Sequence, residues 1–460
     1  MAAFSRSIFT KLPQELVDFI IECLDDDTKA LRACSAVCSA MRCRSQTLLF
    51  THHKRLSFIQ PSAILSPFDR SWYPFYQGSF SRELSAPIYS LREFHSKVSN
   101  HAHLARWIRE VTVAYDMLDF LQGVTGQLLH RVLAHFPRLE SLTITHASAR
   151  EPSFRQLKYD SRSNPTSFAI RVALAPILPT APIRHIALRD VQMDPYHLSS
   201  CKHLRELDLK GQTNFVLASA PLPLQDAERP RLDTLRVNLG CHAFHSLIRY
   251  CAEPNPPLIL SDIQTFSTKE SASWTEDFPH VLTHFKNLTH LKLALTVLDG
   301  DDEHEWIDLS PLSKLTTLSF HLQSTRGKYK ATRNQVQAFT RRCSRIIANL
   351  PRTSQITEIS FTFGYESEVV FGPWEFRRQE PPSHRYSPIR GFQKNQQYDW
   401  FDVDSTLTFL APRKLERVCF MIGSSWTTFS DVEEILPRVK SDGKINVEVN
   451  YAHDIEQAYW

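Results

Sequence analysis

Glycine is scarce in this chain, at 12 of 460 positions, too few for the Gly-rich cradles that hold phosphates and dinucleotides. The sequence has no G-x-S-x-G, no phosphate-binding loop, no H-E-x-x-H and no dinucleotide fingerprint, so it reads as a non-enzyme without a cofactor. Long apolar runs are missing too: nowhere do about 18 apolar residues follow one another, the length a membrane span needs. The start, MAAFSRSIFTKLPQELVDF, holds no apolar stretch of signal-peptide length. The expectation is a soluble chain, cytoplasmic or nuclear, with no membrane partner. An excess of one charge is also absent, because 53 Lys and Arg stand against 49 Asp and Glu, and no nucleic-acid partner follows from +4. Nine cysteines, an odd number scattered from Cys23 to Cys419, exclude the dense framework of a small secreted domain and point to a reducing compartment. In that compartment the NLT triplet at Asn287 is a chance sequon.

What is present is an ordinary globular composition, 42% hydrophobic and 22% charged. The length fits two or three domains, or one domain plus a repeat array. In LPQELVDFIIECL, apolar residues at Leu16, Val17, Ile20, Ile21 and Leu24 have the spacing of a helical stripe, and Pro13 fits the first turn. Asp25, Asp26 and Asp27 interrupt it. Thr28 is placed to cap a second helix through Leu31, Cys34, Ala36, Val37, Cys38 and Met41. A hairpin of about 40 residues buries little of its own surface, so its apolar faces call for a partner.

From about residue 104 a different unit recurs, a short apolar helical turn leading into Leu-x-x-Leu-x-Leu. Four copies are clear: LLHRVLAHFPRLESLTI from Leu128, VLTHFKNLTHLKL from Val281, IIANLPRTSQITEISF from Ile346 and TFLAPRKLERVCF from Thr408. Shorter strand versions begin at Ile108, Ile183, Leu204, Leu232 and Leu315, with a weak one at Ile263 that ends on Thr268. Three apolar and three polar positions recur by accident about seven times in such a chain, so the strand pattern alone does not establish an array. The preceding helical turn does more, as does the polar character of the intervening positions other than Ala187 and Cys419. Parallel stacking of these strands places their polar side chains on one broad surface, which suits a protein ligand.

Residues 60–90, with SPFDRSWYPFYQGSF, read as a linker or packed extension, and 149–182 and 371–400 as surface insertions. The resulting organisation is a helical module at 8–55, a linker or packed extension at 56–103 and a repeat region at 104–460.

Other constellations have plainer readings. Cys34, Cys38 and Cys43 lack the second ligand pair of a zinc site and read as core thiols, so no metal is expected. His52 and His53 sit at a helix end. The acidic run Asp299–Trp306 lacks the Gly and Glu of a calcium loop and reads as solvated. Arg341, Arg342 and Arg345 with Arg377 and Arg378 read as solvated charge, or alternatively as a phosphate-binding patch. Trp72, Tyr73, Phe75 and Tyr76 read as packed aromatics, or alternatively as a groove lining.

Residues 12–50 resemble an F-box of the version found in large families of fungal F-box proteins, over less than a tenth of the chain. The matching residues are Leu12, Pro13, Glu15, Leu16, Ile20, Leu24, Leu31, Val37 and Cys38. Where the family commonly has Trp three residues after the Cys, this chain has Met41, whose thioether fills an irregular apolar gap. The resemblance implies docking on a Skp-type adaptor, and through it a cullin, by Leu12, Pro13, Leu16, Ile20, Leu24, Leu31, Val37, Cys38 and Met41, with Leu16 and Ile20 as anchors. The downstream region resembles the degenerate leucine-rich repeats that often follow an F-box, although no copy carries the Asn of the standard repeat. The implied fold is α/β: a helical F-box, then an irregular leucine-rich-repeat-like solenoid with a short-stranded parallel sheet. The implied function is substrate recognition for an SCF-type (Skp-cullin-F-box) ubiquitin ligase, with the repeats holding an unknown protein target for ubiquitin-dependent degradation. A non-ligase scaffold for assembly or transcriptional control fits the same residues.

Overall fold

The computed structural model describes residues 13–24, 27–37, 41–42, 44–45, 48, 55–59, 88–89, 95, 105, 108–115, 124–146, 174, 177–189, 191–211, 213–215, 229–239, 241–269, 278–297, 307–324, 333–351, 353–363, 396–409, 414–423 and 436–452. The chain divides into two units at Ala187 and Leu188.

In the first unit, Pro13 sets the entry to helix α1 (Gln14–Glu22), its carbonyl accepting from the Leu16 and Val17 amides. Helix α2 (Thr28–Val37) is capped one residue earlier than the sequence predicts. The Asp27 carboxylate, not Thr28, accepts from Lys29 N at 3.0 Å and Ala30 N at 2.9 Å. A carboxylate satisfies two free amides there and also complements the positive end of the helix. Val17 and Ile21 from α1 meet Leu31 from α2 and Met41 in a buried cluster, with Leu24, Cys34 and Leu48 packed against it. An Arg44–Glu22 ion pair ties the following segment back to α1.

The same unit contains β1 (Arg55–Ile59), β2 (Ile88–Tyr89), β3 (Glu110–Tyr115), α3 (Val124–Leu133) and β4 (Ser141–His146), and the start of β5 (His185–Arg189). Strand β1 pairs in parallel with both β2 and β3, and β3 with β4. The stretch read as a linker or packed extension therefore carries two strands.

The second unit alternates strands and helices: β6 (Gln192–Met193), α4 (Tyr196–Ser199), β7 (Glu206–Gly211), β8 (Asn214–Phe215), β9 (Thr234–Leu239), α5 (Cys241–Cys251), β10 (Thr265–Lys269), α6 (Phe278–Leu282), β11 (His290–Val297), β12 (Thr317–Ser324), α7 (Arg333–Ala348), β13 (Glu358–Phe363), α8 (Gln396–Phe409), β14 (Arg417–Gly423), α9 (Pro437–Asp442) and β15 (Asn446–Ala452). Strands β7, β9, β10, β11, β12, β13, β14 and β15 pair in that order, each parallel to the next. β6 and β8 form a separate short pair. The fold is α/β with a parallel sheet.

Register aligns the apolar pattern from strand to strand. Leu207, Leu235, Phe266, Leu291, Leu318, Ile359 and Val418 form one lateral row, and Leu209, Val237, Thr268, Leu293, Phe320, Phe361 and Phe420 the next. All fourteen are buried, as are the leading residues Leu204, Leu232, Ile263, Leu288, Leu315, Ile356 and Leu415. The main chain stitches neighbours together just before each strand. The carbonyl of Thr289 accepts from the Thr316 and Thr317 amides at 2.8 and 3.0 Å, and that of Thr316 from Thr357 and Glu358 at 2.9 and 3.2 Å. Hydroxyls reinforce this: Thr316 Oγ1 donates to Thr289 O at 3.0 Å and Thr289 Oγ1 to Gln264 O at 3.1 Å.

Thr268 is the opposite case, since its Oγ1 is buried and, among the described residues, has no hydrogen-bond partner. One substitution at two threonines should then act with opposite signs. Thr316→Val removes a made hydrogen bond and should lower stability by about 1 kcal/mol, whereas Thr268→Val removes an unsatisfied hydroxyl and should raise it by about 1 kcal/mol. Urea midpoints of the two variants against the parent check both.

Helix α8 lies over the apolar side of β13 and β14, where Trp400 meets Phe361 and Phe420 edge-on, both at 5.3 Å between ring centroids. It also carries a buried carboxylate. Asp404 accepts from Arg438 N at 3.2 Å and Val439 N at 3.0 Å, so it caps the first turn of α9 from another helix. Asp404→Ala should destabilise the unit by about 2 kcal/mol, read as a fall in the urea midpoint.

Candidate functional site

At about 100° per residue, α1 presents two apolar sides. Val17, Ile21 and Leu24 turn to the cluster with Leu31 and Met41. Leu16, Phe19, Ile20 and Cys23 lie on the other side, where Leu16 is 50%, Phe19 63% and Ile20 41% exposed. At the end of α2, Val37 is 64% exposed. Single exposed apolar residues are ordinary, but three large ones adjoining on a nine-residue helix form a continuous exposed apolar patch. Burying each fully would contribute about 1.5–3 kcal/mol.

The residues assigned to adaptor docking separate accordingly. Leu16, Ile20 and Val37 face outward, and Pro13 is exposed. Leu24 is half-buried against the module's own core, and Leu31 and Met41 are inside it. Leu12 and Cys38 lie outside the described residues. A single stripe through Leu16, Val17, Ile20, Ile21 and Leu24 leaves out Phe19. Its signal is the helical spacing of Leu16, Phe19 and Cys23, which gives the helix a second apolar side.

A second surface is the polar side of the strands in the second unit. Glu206, Thr234, Thr265, His290, Thr317, Glu358, Arg417 and Asn446 stand in register at the strand starts. In this row His290, Arg417 and Asn446 are exposed and the others half-buried. The next row, Asp208, Arg236, Ser267, Lys292, Ser319, Ser360, Cys419 and Glu448, is sunk: Asp208, Ser267, Ser319, Ser360 and Cys419 are all buried. The surface open to a ligand is thus narrower than alternation alone predicts.

Charges on this side are largely paired. Arg236 Nη1 lies 2.9 Å from Asp208 and 3.2 Å from Glu206. Burial opposes the guanidinium charge, but the two carboxylates, Asp208 foremost, outweigh it and hold the pKa above its usual value. Lys292 is held below the ordinary lysine value by burial, with Arg236 beside it adding to the effect. Arg417 pairs with Glu358 and, at 3.8 Å, with Glu448. Burial, with Glu358 next in importance, pushes the Cys419 thiol up to about 11, so at neutral pH it is a protonated thiol and no nucleophile. Such a surface is suited to hydrogen bonding with a ligand.

Among the other sequence candidates, Cys34 is half-buried against the N-terminal core, and Arg341, Arg342 and Arg345 lie on α7. Asn287 Oδ1 accepts from Lys314 Nζ at 2.6 Å. Cys43, His52, His53, Trp72, Tyr73, Phe75, Tyr76, Asp299–Trp306, Arg377 and Arg378 lie outside the described residues. Among the described residues no group of three or more His, Cys, Asp or Glu is placed to hold a metal ion, and no helix is long and apolar enough to cross a membrane. Compared with protein-family models and with curated proteins, the sequence finds no match.

Proposed function

We propose that this chain is a substrate-recognition adaptor of an SCF-type ubiquitin ligase. The N-terminal helical pair acts as an F-box that docks on a Skp-type adaptor bound to a cullin, and the strand-and-helix region acts as an irregular leucine-rich-repeat-like solenoid that holds a protein target. One observation carries the reading. The helical pair closes a small core with Val17, Ile21, Leu31 and Met41, yet leaves Leu16, Phe19 and Ile20 of the same helix in solvent. A module this small gains most from burying such a side against another protein.

In this reading no residue of the chain reacts. Tethering raises the effective concentration of the target's lysines near activated ubiquitin, and geometry does the rest. The target meets the open strand-start row, where Glu206, His290, Glu358 and Arg417 offer donors and acceptors of both signs. The test is co-purification of the full chain with a Skp-type adaptor and a cullin. A folded chain that captures no adaptor overturns the proposal.

A further inference from the structure

Strand β15 is the last in the ladder of the second unit, and among the described residues its outer edge is open. Its residues pair in parallel with β14 along their whole length, from Asn446 opposite Arg417 to Ala452 opposite Gly423. Among the described residues no strand pairs with its other side. The Asn446 amide donates to Glu416 O at 2.8 Å, and in a parallel ladder the N–H and C=O of one residue face the same neighbour. The main-chain groups of Asn446, Glu448 and Asn450 therefore face β14, and those of Val447, Val449 and Tyr451 face the open side.

The apolar side is also less covered here than one strand inward. Val447 and Val449 are half-buried, whereas their register partners in β14, Val418 and Phe420, are fully buried. Natural edges are commonly guarded by proline, lysine, a bulge or extreme shortness. Residues Asn446–Ala452 contain no proline or lysine and pair without a bulge. Their one charge, Glu448, already accepts from Asn446 Nδ2 at 2.8 Å and lies 3.8 Å from Arg417. The first unit's β2, by contrast, is two residues long.

We propose that β15 is a dimerisation edge: two copies of the chain pair their β15 strands antiparallel about a two-fold axis at Val449. A two-fold axis requires antiparallel pairing, which is also the more stable arrangement per residue. This register sets Val449 against its own copy, Val447 against Tyr451 and Glu448 against Asn450. Each outward-facing residue then exchanges both hydrogen bonds with its opposite, the Val449 side chains of the two copies share one face, and the carboxylate meets an amide that can donate to it. Centring the axis on Glu448 would place two carboxylates against each other, so charge selects the Val449 register.

Sedimentation equilibrium of the full chain from nanomolar to high micromolar concentration tests the proposal. The parent chain should dimerise. Val449→Pro, which removes an outward amide and none bonded to β14, should be monomeric. Because the Asn450 side chain is exposed, Asn450→Glu leaves the fold intact. It should weaken the dimer about tenfold by opposing Glu448, with part of the loss restored by salt. Asn450→Lys should tighten the dimer. A parent chain that is monomeric throughout, or a dimer that Asn450→Glu leaves unchanged, overturns the proposal.

Discussion

A glutamate at Ile20 should abolish capture of a Skp-type adaptor while the chain stays folded. Ile20 is partly open to solvent on the outer side of α1 and makes no part of the buried cluster. Changing a surface residue of this kind shifts stability by roughly 0.5 kcal/mol. In a docked complex the same carboxylate would be buried without a partner, a penalty of several kcal/mol, so affinity should fall on the order of 100-fold or more. Leu16→Glu should behave alike. Val17→Glu is the control: Val17 is buried against Ile21 and Leu31, so a charge there should unfold the helical pair and remove binding and helix signal together. The measurement is adaptor capture alongside circular dichroism. Parental affinity in Ile20→Glu would remove the outer side of α1 from any docking role.

The helical pair was legible in the sequence to the extent that periodicity defines a helix, and no further. Apolar spacing locates α1 and α2, but two apolar sides on one short helix merge into a single stripe when read in one dimension. Leu24 and Met41 could not be assigned to the inside, nor Phe19 to the outside, without the second helix in place. Capping shows the same limit, because Asp27 and Thr28 are both good caps and only backbone geometry chooses between them.

The ladder was more legible. The ten pattern starts from Ile108 to Leu415 all fall on buried residues, including the weak copy at Ile263, whose Thr268 is held between Val237 and Leu293 by register. Strand β15 escaped because Lys444 stands where the pattern needs a leading apolar residue, and a terminal strand has less core to cover. Helix α8 escaped because Asp399, Asp402 and Asp404 break any apolar stripe. Asp404 is buried for a reason outside its own helix, namely the two amides of α9 it satisfies.

The aromatic ladder should show how far the array depends on lateral stacking, through a loss of about 3–5 kcal/mol for Phe361→Ala. Phe361 lies between Phe320 and Phe420 at centroid distances of 5.7 and 5.4 Å, with ring planes inclined by only 21° and 23°. Trp400 closes the group edge-on. Removing the ring deletes its own burial and also takes a wall from three neighbours, so the cavity cannot close unless two strands and a helix shift together. Total stabilities of domains lie at about 5–15 kcal/mol, so this loss is a large share of what holds the second unit. Phe401→Ala offers the comparison one residue past Trp400. Its ring is half-exposed with Arg438 stacked at 4.5 Å, and a cation–π contact at the surface contributes about 0.5–1 kcal/mol. Urea unfolding should therefore move the midpoint strongly for Phe361→Ala and slightly for Phe401→Ala. Equal shifts would mean that α8 is held by its solvent side, and that the stacked ring row is not what joins β12, β13 and β14 into one cooperative block.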